Sequence, residues 1–344
     1  MKRKLLITLL AVVSCLACAL GLAACDGDGG GNTQHSHSWS QSWERNDTHH
    51  WHNCTAENCP VTDNSQKDGY AEHDFSDGDC VCGQPKPTDG LEYMSNGDGK
   101  SYSVTGIGTC TDTVIVIPSV YNNLPVTKIA ENAFMNEYKI YSVIIPDSVT
   151  TIGSSAFQNC SALTTITIPD SVTSIGNYTF IRSRKKTKVT ITEGVTTNGR
   201  NTFIRCRALT TITIPDNVTT IGSNAFEGCD SLKYNEYENA YYFGNASSPY
   251  LVLIKAKDTS ITNCTINSNT KIIYSFAFYD CSRFTSITIP DSVTSIGSSA
   301  FNGCYNLTSV TIPDSVTSIG SYAFASCRDL PTITKTDSVT SIGD

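Results

Sequence analysis

Proline returns every 23 residues at Pro146 and Pro169 and again at Pro290 and Pro313, and Cys206 to Cys229 and Cys281 to Cys304 to Cys327 keep the same step. A fixed period of this length is the signature of stacked coils. In the copy that begins at Pro146 the apolar set is Val149, Ile152, Ala156, Phe157, Cys160, Leu163, Ile166 and Ile168. Short alternating runs flank a tighter AF-x-x-C-x-x-L segment. One copy therefore reads as a strand, a turn, a second extended piece and a short helical or 3₁₀ corner. A single coil cannot bury that face, whereas a stack shares one continuous core.

Copies start at Pro118, stretched by YNNLP, and at Pro146, Pro169, Thr192, Pro215, Asn267, Pro290 and Pro313. An irregular coil of 29 residues, 238–266, interrupts them, and its YLVLIKA and ITNCTI runs are expected as strands. About nine coils at ~4.8 Å each predict a rod roughly 40–45 Å long. Solenoids end in polar caps, so the partial copy TDSVTSIGD is expected to fray or to be cut from a longer frame.

The phrase IPDSVTSIGSSAFNGCYNLTSVTIP, Ile289 to Pro313, resembles the BspA-like, or type 5, leucine-rich repeats of bacterial surface proteins, over about Val114 to Gly343. That resemblance implies a β-rich, right-handed leucine-rich-repeat solenoid, residues 114–344, used for adhesion and partner binding. Copies depart from the pattern at Thr192, which replaces the proline, and at Ser183, which replaces the cysteine.

Upstream of the repeats, the basic residues Lys2 to Lys4 precede an apolar run, Leu5 to Leu22, and residues 1–24 read as a secretory signal. The tetrad Leu22-Ala23-Ala24-Cys25 resembles a bacterial lipobox, which implies lipidation of Cys25 and a mature protein anchored to the outer face of the membrane. Acyl chains in twos or threes anchor stably. Residues 25–34 are glycine-rich and read as a flexible tether.

Between His35 and Gly83 the composition changes: all six histidines and all three tryptophans fall there, with Cys54, Cys59, Cys80 and Cys82. So short and polar a segment needs a metal or disulfides to fold. Soft thiolates and imidazoles at loop spacings favour one structural zinc ion, with paired disulfides or an unstructured linker as alternatives. The preferred ligands are Cys54, Cys59 and His73, with a fourth from His50, His52, Cys80 or Cys82. The HWH-x-C string also resembles short segments that precede other bacterial surface repeats. Residues 84–90 read as a linker, and 91–113 as a hairpin around NGDG that caps the first coil.

A formal charge of −8 argues against a nucleic-acid partner. Fifteen cysteines suggest a disulfide framework, but Cys160, Cys206, Cys229, Cys281, Cys304 and Cys327 share one phase, which predicts an inward column of thiols, with bridges between coils as the alternative. No histidine lies beyond His73 and no phosphate-binding glycine motif is present, so the repeats read as non-catalytic. Asp147, Asp170, Asp216, Asp291 and Asp314 read as turn residues.

Two surface features suggest binding. Thr167, Thr190, Thr213, Thr288 and Thr311 recur at one outward position, a hydroxyl column suited to a glycan or an extended peptide. Arg182 stands beside Arg205 and Arg184 beside Arg207 in adjacent copies, with Lys185, Lys186 and Lys188 close by, which suits an anionic ligand. The tyrosines of the irregular coil read mainly as packing. The resulting expectation is a surface protein that binds an extracellular protein or glycan. A structural spacer in the envelope and a metal-handling lipoprotein are the alternatives.

Overall fold

The structure is a computed structural model and describes residues 38–46, 49–55, 63–76, 79–82, 84–331, 333 and 338–343. Residues 1–24, Cys25, the tether and Cys59 lie outside the described residues, as does the side chain of Cys54. The chain divides into two compact units at Lys86 and Pro87.

The first unit is an antiparallel meander of β1 (Trp39–Arg45), β2 (His49–Cys54) and β3 (Asp68–Glu72), with a 3₁₀ turn at Asn64–Gln66. Asp63 caps that turn by accepting from the Ser65 amide. Alternation along β2 puts His50 and His52 on one face and His49 and Trp51 on the other. Trp43 lies between the first pair, edge-on to His50 and stacked on His52 at 3.8 Å. A Cβ on Gly69 would fall 2.9 Å from the Trp43 ring, so this position needs glycine twice over, for space and for its φ of +65°.

The second unit is a β-solenoid of 23-residue coils, as the period predicts. It opens with the antiparallel pair β4 (Glu92–Ser95) and β5 (Tyr102–Gly106), and β5 pairs in parallel with Leu124–Ile129 of the first coil. Two-residue strands then stack in parallel, from Thr151–Ile152 through Ser174–Ile175 and Thr197–Asn198 to Thr220–Ile221. Each places its second residue inward.

The interior is a ladder of phenylalanines. Phe134, Phe157, Phe180, Phe203 and Phe226 stack at centroid separations of 5.3, 5.6, 5.4 and 6.0 Å, all nearly coplanar. Beyond the irregular coil the ladder resumes with Phe278, Phe301 and Phe324 at 5.2 and 5.1 Å. The cysteine column is buried except at Cys327, which is half-buried, and its thiols are free. Cys160, Cys206 and Cys229 each donate Sγ–H to the carbonyl of the phenylalanine 26 residues earlier, at 3.1, 3.0 and 3.0 Å. Ser183 makes the same bond to the Phe157 carbonyl at 3.2 Å, which explains why serine replaces cysteine there.

The corners differ from a helix. Turns closed by i→i+3 bonds, such as Ala156 N to Gly153 O and Cys160 N to Phe157 O, alternate with the left-handed residues Ser155 and Asn159, which break any helical run. Those alternate residues donate forward: the amides of Ser155, Phe157 and Asn159 reach the carbonyls of Asn177, Thr179 and Ile181 in the next coil. Three such rungs recur at each regular junction, for example from Asn201, Phe203 and Arg205 to Ser223, Ala225 and Glu227.

The irregular coil is an antiparallel meander. Asn235–Tyr237 pairs with Ala240–Phe243, which pairs with Val252–Ala256, and this last strand runs parallel to Ile272–Ile273 of the following coil. The ITNCTI run is not a strand: it buries Cys264 and Ile266, offers the Thr262 carbonyl to the Thr285 amide, and accepts at the Asn263 carbonyl from the Asn239 side chain at 3.1 Å. Tyr274 stands where regular coils have glycine. At Gly297 a Cβ would fall 2.4 Å from Ser275 N in the coil before it, so a side chain fits at Tyr274 only because no regular coil precedes it. Its hydroxyl reaches back to the coil of Pro215, accepting from Ala225 N at 2.6 Å and donating to Gly222 O at 3.1 Å.

One basic residue is not on the surface. Lys186 occupies the position of Leu163, Leu209 and Leu232 and is fully buried, its Nζ unpartnered and 5.4 Å from the centroid of the Phe180 ring. Asn198, in an isoleucine position one coil later, is also buried with both side-chain polar atoms unpaired.

Candidate functional site

In the first unit β2 supplies His50, the chain leaving β3 supplies His73, and the following loop supplies Cys80 and Cys82. Their ligand atoms all lie within 4.8 Å of one another. His50 Nδ1 is 3.4 Å from His73 Nδ1 and 3.3 Å from Cys80 Sγ, and His73 Nδ1 is 3.4 Å from both sulfurs. A tetrahedral zinc with bonds of ~2.0 Å to nitrogen and ~2.3 Å to sulfur has edges of roughly 3.4 Å between nitrogens and roughly 3.5 Å from nitrogen to sulfur. The four groups therefore stand close to the corners of such a site.

Their surroundings suit ligation. His73 Nε2 lies 2.8 Å from the Asn46 carbonyl, and donating there fixes the tautomer that leaves Nδ1 free to bind. His50 is 6 % exposed and Cys80 4 %. Burial, then the neighbouring His73, His52 and His49, lower the His50 pKa and favour the neutral imidazole a metal requires. Burial raises the Cys80 thiol, but the Cys82 backbone and the His73 and Cys82 side chains outweigh it and bring the pKa down to about 7. Around Val81 the chain turns sharply, with Cys80 N donating to Gln84 O and Arg45 Nη1 donating to Cys82 O at 2.8 Å.

Of the seven residues considered as ligands, the structure brings together His50, His73, Cys80 and Cys82. His52 is turned aside, its Nδ1 3.1 Å from the Ser42 carbonyl and its ring on Trp43. Cys59 and the Cys54 side chain fall outside the described residues. Sequence spacing gave Cys80 and Cys82 too little weight, because Cys-x-Cys is uncommon in knuckles.

On the solenoid, Arg182, Arg184, Arg205 and Arg207 are all exposed, and among the described residues none pairs with an acid. Arg182 and Arg205 both adopt the left-handed conformation at the corner, with φ of 61° and 58°. Lys185 and Lys188 share this exposed region, whereas Lys186 is withdrawn into the core.

The hydroxyl column is interrupted. Thr190 pairs with Thr213 and Thr288 with Thr311, but Thr167 faces Ile144, and the strands Thr165–Thr167 and Lys188–Thr190 are not hydrogen-bonded to each other. Thr167, Thr190, Thr288 and Thr311 are exposed and Thr213 half-buried. The array is a set of pairs, because the departures around Lys186 and the irregular coil break the strand ladder twice.

A model of the BspA type leucine rich repeat region matches residues 127–247 and 256–344, in six copies. None of the curated proteins matches the chain. Among solved structures it is similar to a leucine rich repeat protein of T. pallidum, TpLRR, at 22 % identity over 72 % of this chain and 90 % of that one, with a TM-score of 0.43. A leucine rich cell surface protein of Faecalibacterium prausnitzii is 28 % identical over 75 % of this chain and 84 % of its own, with a TM-score of 0.35. A leucine-rich repeat protein of Bacteroides ovatus is 26 % identical over 74 % and 89 %, with a TM-score of 0.36. With the family model covering well over half its length, the chain belongs to the BspA type leucine rich repeat family.

Proposed function

We propose that this protein is a lipoprotein of the bacterial cell surface, anchored through Cys25, whose solenoid binds an extracellular protein or glycan without making or breaking bonds. The observation that carries this reading is the corner of four exposed arginines, in register in adjacent coils and, among the described residues, without an acidic partner, within an acidic chain. Stacked like charges cost stability, and an anionic ligand such as an acidic polysaccharide offsets that cost. The exposed threonine pairs on the strands add hydroxyl donors and acceptors.

The N-terminal module is folded by one structural zinc ion held by His50, His73, Cys80 and Cys82. Two buried ligands and the close tetrahedral spacing favour a closed structural site over metal handling, which needs an exchangeable ion. The test of the binding reading is a glycan array probed with full-length protein in detergent, alongside a variant with Arg182, Arg184, Arg205 and Arg207 all changed to Glu. Loss of anionic-glycan binding in the variant supports the reading. Equal binding by both proteins removes the arginine corner from it.

A further inference from the structure

The junction between the coils of Pro215 and Asn267 is unlike every regular one. At its base the two coils are joined by the Tyr274 hydroxyl, by Ser275 Oγ at 3.2 Å from Ser223 Oγ, and by Lys271 Nζ donating to Asp216 O at 2.6 Å. At its corner the three forward rungs are missing. Among the described residues, the amides of Asn224 and Gly228, which by register would donate to the next coil, reach no carbonyl there, and the Ser275 and Tyr279 carbonyls receive no backbone amide. The middle of the corner is bridged instead by the Ala225 amide on the Tyr274 hydroxyl at one wall and by the Ala256 amide on Ala277 O at the other. A cleft of about 480 Å³ opens at this place, with Asn224, Gly228, Glu227 and Asp230 on one side and Ser275 and Phe276 on the other. That volume lies within the range of ligand sites, about 300–1,000 Å³.

Two further observations concern what fits there. Glu227 and Asp230 are exposed on the wall, Arg205 of the preceding coil adjoins it with its amide donating to the Glu227 carbonyl at 2.7 Å, and Lys255 has its Nζ over the Tyr234 and Tyr241 rings at 5.0 and 5.7 Å. Phe276 is 40 % exposed and holds a φ of 64°, at a register position that Asn201 and Asn224 fill in two other coils and that Tyr178 and Tyr322 fill with exposed rings. Its ring lies at the cleft mouth, edge-on to Tyr279 at 5.7 Å.

We propose that this cleft docks a short extended peptide carrying basic side chains, whose backbone supplies the missing corner rungs. The idea rests on reading the solenoid as a binding scaffold and assigns a partner chemistry to one place on it, one coil beyond Arg205. Peptide carbonyls accept from the Asn224 and Gly228 amides, a peptide N–H donates to the Ser275 carbonyl, and a lysine or arginine meets Glu227 and Asp230. Recognition by added backbone hydrogen bonds is an established way for sheet-like edges to bind peptides.

The test uses the full chain and the peptide acetyl-Thr-Lys-Thr-Lys-Thr-amide, with titration and amide exchange read in parallel. Saturable binding is expected, with exchange at Asn224 and Gly228 slowed about tenfold or more. A backbone N-methylated peptide and a glutamate-for-lysine analogue should bind at least about tenfold more weakly. The double variant Glu227→Gln, Asp230→Asn, altered only at exposed positions, should weaken the lysine peptide several-fold. Unchanged exchange at the two amides, equal binding by the N-methylated peptide, or binding of a neutral oligosaccharide in place of the peptide overturns the proposal. A variant limited to Arg182→Glu and Arg184→Glu, one coil further from the cleft, should bind the peptide normally while weakening anionic-glycan binding, so failure here and failure of the glycan reading are separable.

Discussion

Replacing Lys186 with methionine should stabilise the solenoid. Its ammonium group is shut inside the coil of Pro169 with no hydrogen-bond partner among the described residues, and burial, opposed only by the nearby Cys206, lowers its pKa from 10.5 to about 8. A shift of that size is worth about 3 kcal/mol, the penalty for keeping the charged form inside. The sign follows from proton counting. Between pH 8 and 10.5 the unfolded chain holds a proton on Lys186 that the folded chain has released, so stability rises with pH across that window. Below pH 8 the native state bears the whole penalty. Methionine fills a similar volume without charge, so the variant should gain about 3 kcal/mol at pH 7. The difference between variant and wild type should shrink as pH climbs from 8 to 10.5. Comparing the two proteins at each pH cancels the tyrosines and other lysines that titrate there. Because coils unfold semi-independently, the assay is exchange protection at the Phe180 and Arg182 amides, which bond across this junction to Thr202 and Ile204. A methionine variant no better protected than wild type, or a gap indifferent to pH, would refute the reasoning.

Purified protein should contain one zinc per chain. His73→Ala or Cys80→Ser should lower metal affinity at least about tenfold, read by competition with a chelator, and wild-type affinity should fall in acid as imidazoles and thiols protonate. Phe203→Ala opens the middle of the ring ladder and should cost about 3–5 kcal/mol in urea denaturation. Gly176→Ala would set a Cβ 2.4 Å from Ser154 N, so it should destabilise by more than the few tenths usual for a surface change, lowering the melting temperature by several degrees. Cys160 and Cys304 should resist alkylation in the native state, because burial raises both thiols, Cys160 to about 12, whereas the partly exposed Cys110 should react; mass spectrometry of labelled protein decides.

The period was legible because each coil must bury the same face against its neighbours, so the demand on Phe157, Cys160 and Leu163 repeats in Phe203, Cys206 and Leu209. Departures were harder to read. Lys186 looks from composition like one more member of a basic run, and only its register, in line with Leu163 and Leu209, marks it as inward. The first hairpin of the irregular coil escaped notice because its turn at Glu238 and Asn239 lacks the usual glycine. In the metal centre, residue types pointed to the chemistry, but the partner set depends on which strand face meets which loop. Alternation places His50 and His52 together; what separates them is Trp43, whose position comes from pairing across β1 and β2.

Tyr274 limits how this solenoid can be shortened. Excising residues 238–266 would leave the 23-residue count intact, and on paper the coils of Pro215 and Asn267 would close up. The phenol would then project into the backbone at Gly222 and Ser223, where regular coils tolerate no side chain at all. Insertion and tyrosine are thus coupled changes, and only an excised chain that also carries Tyr274→Gly should regain an unbroken stack.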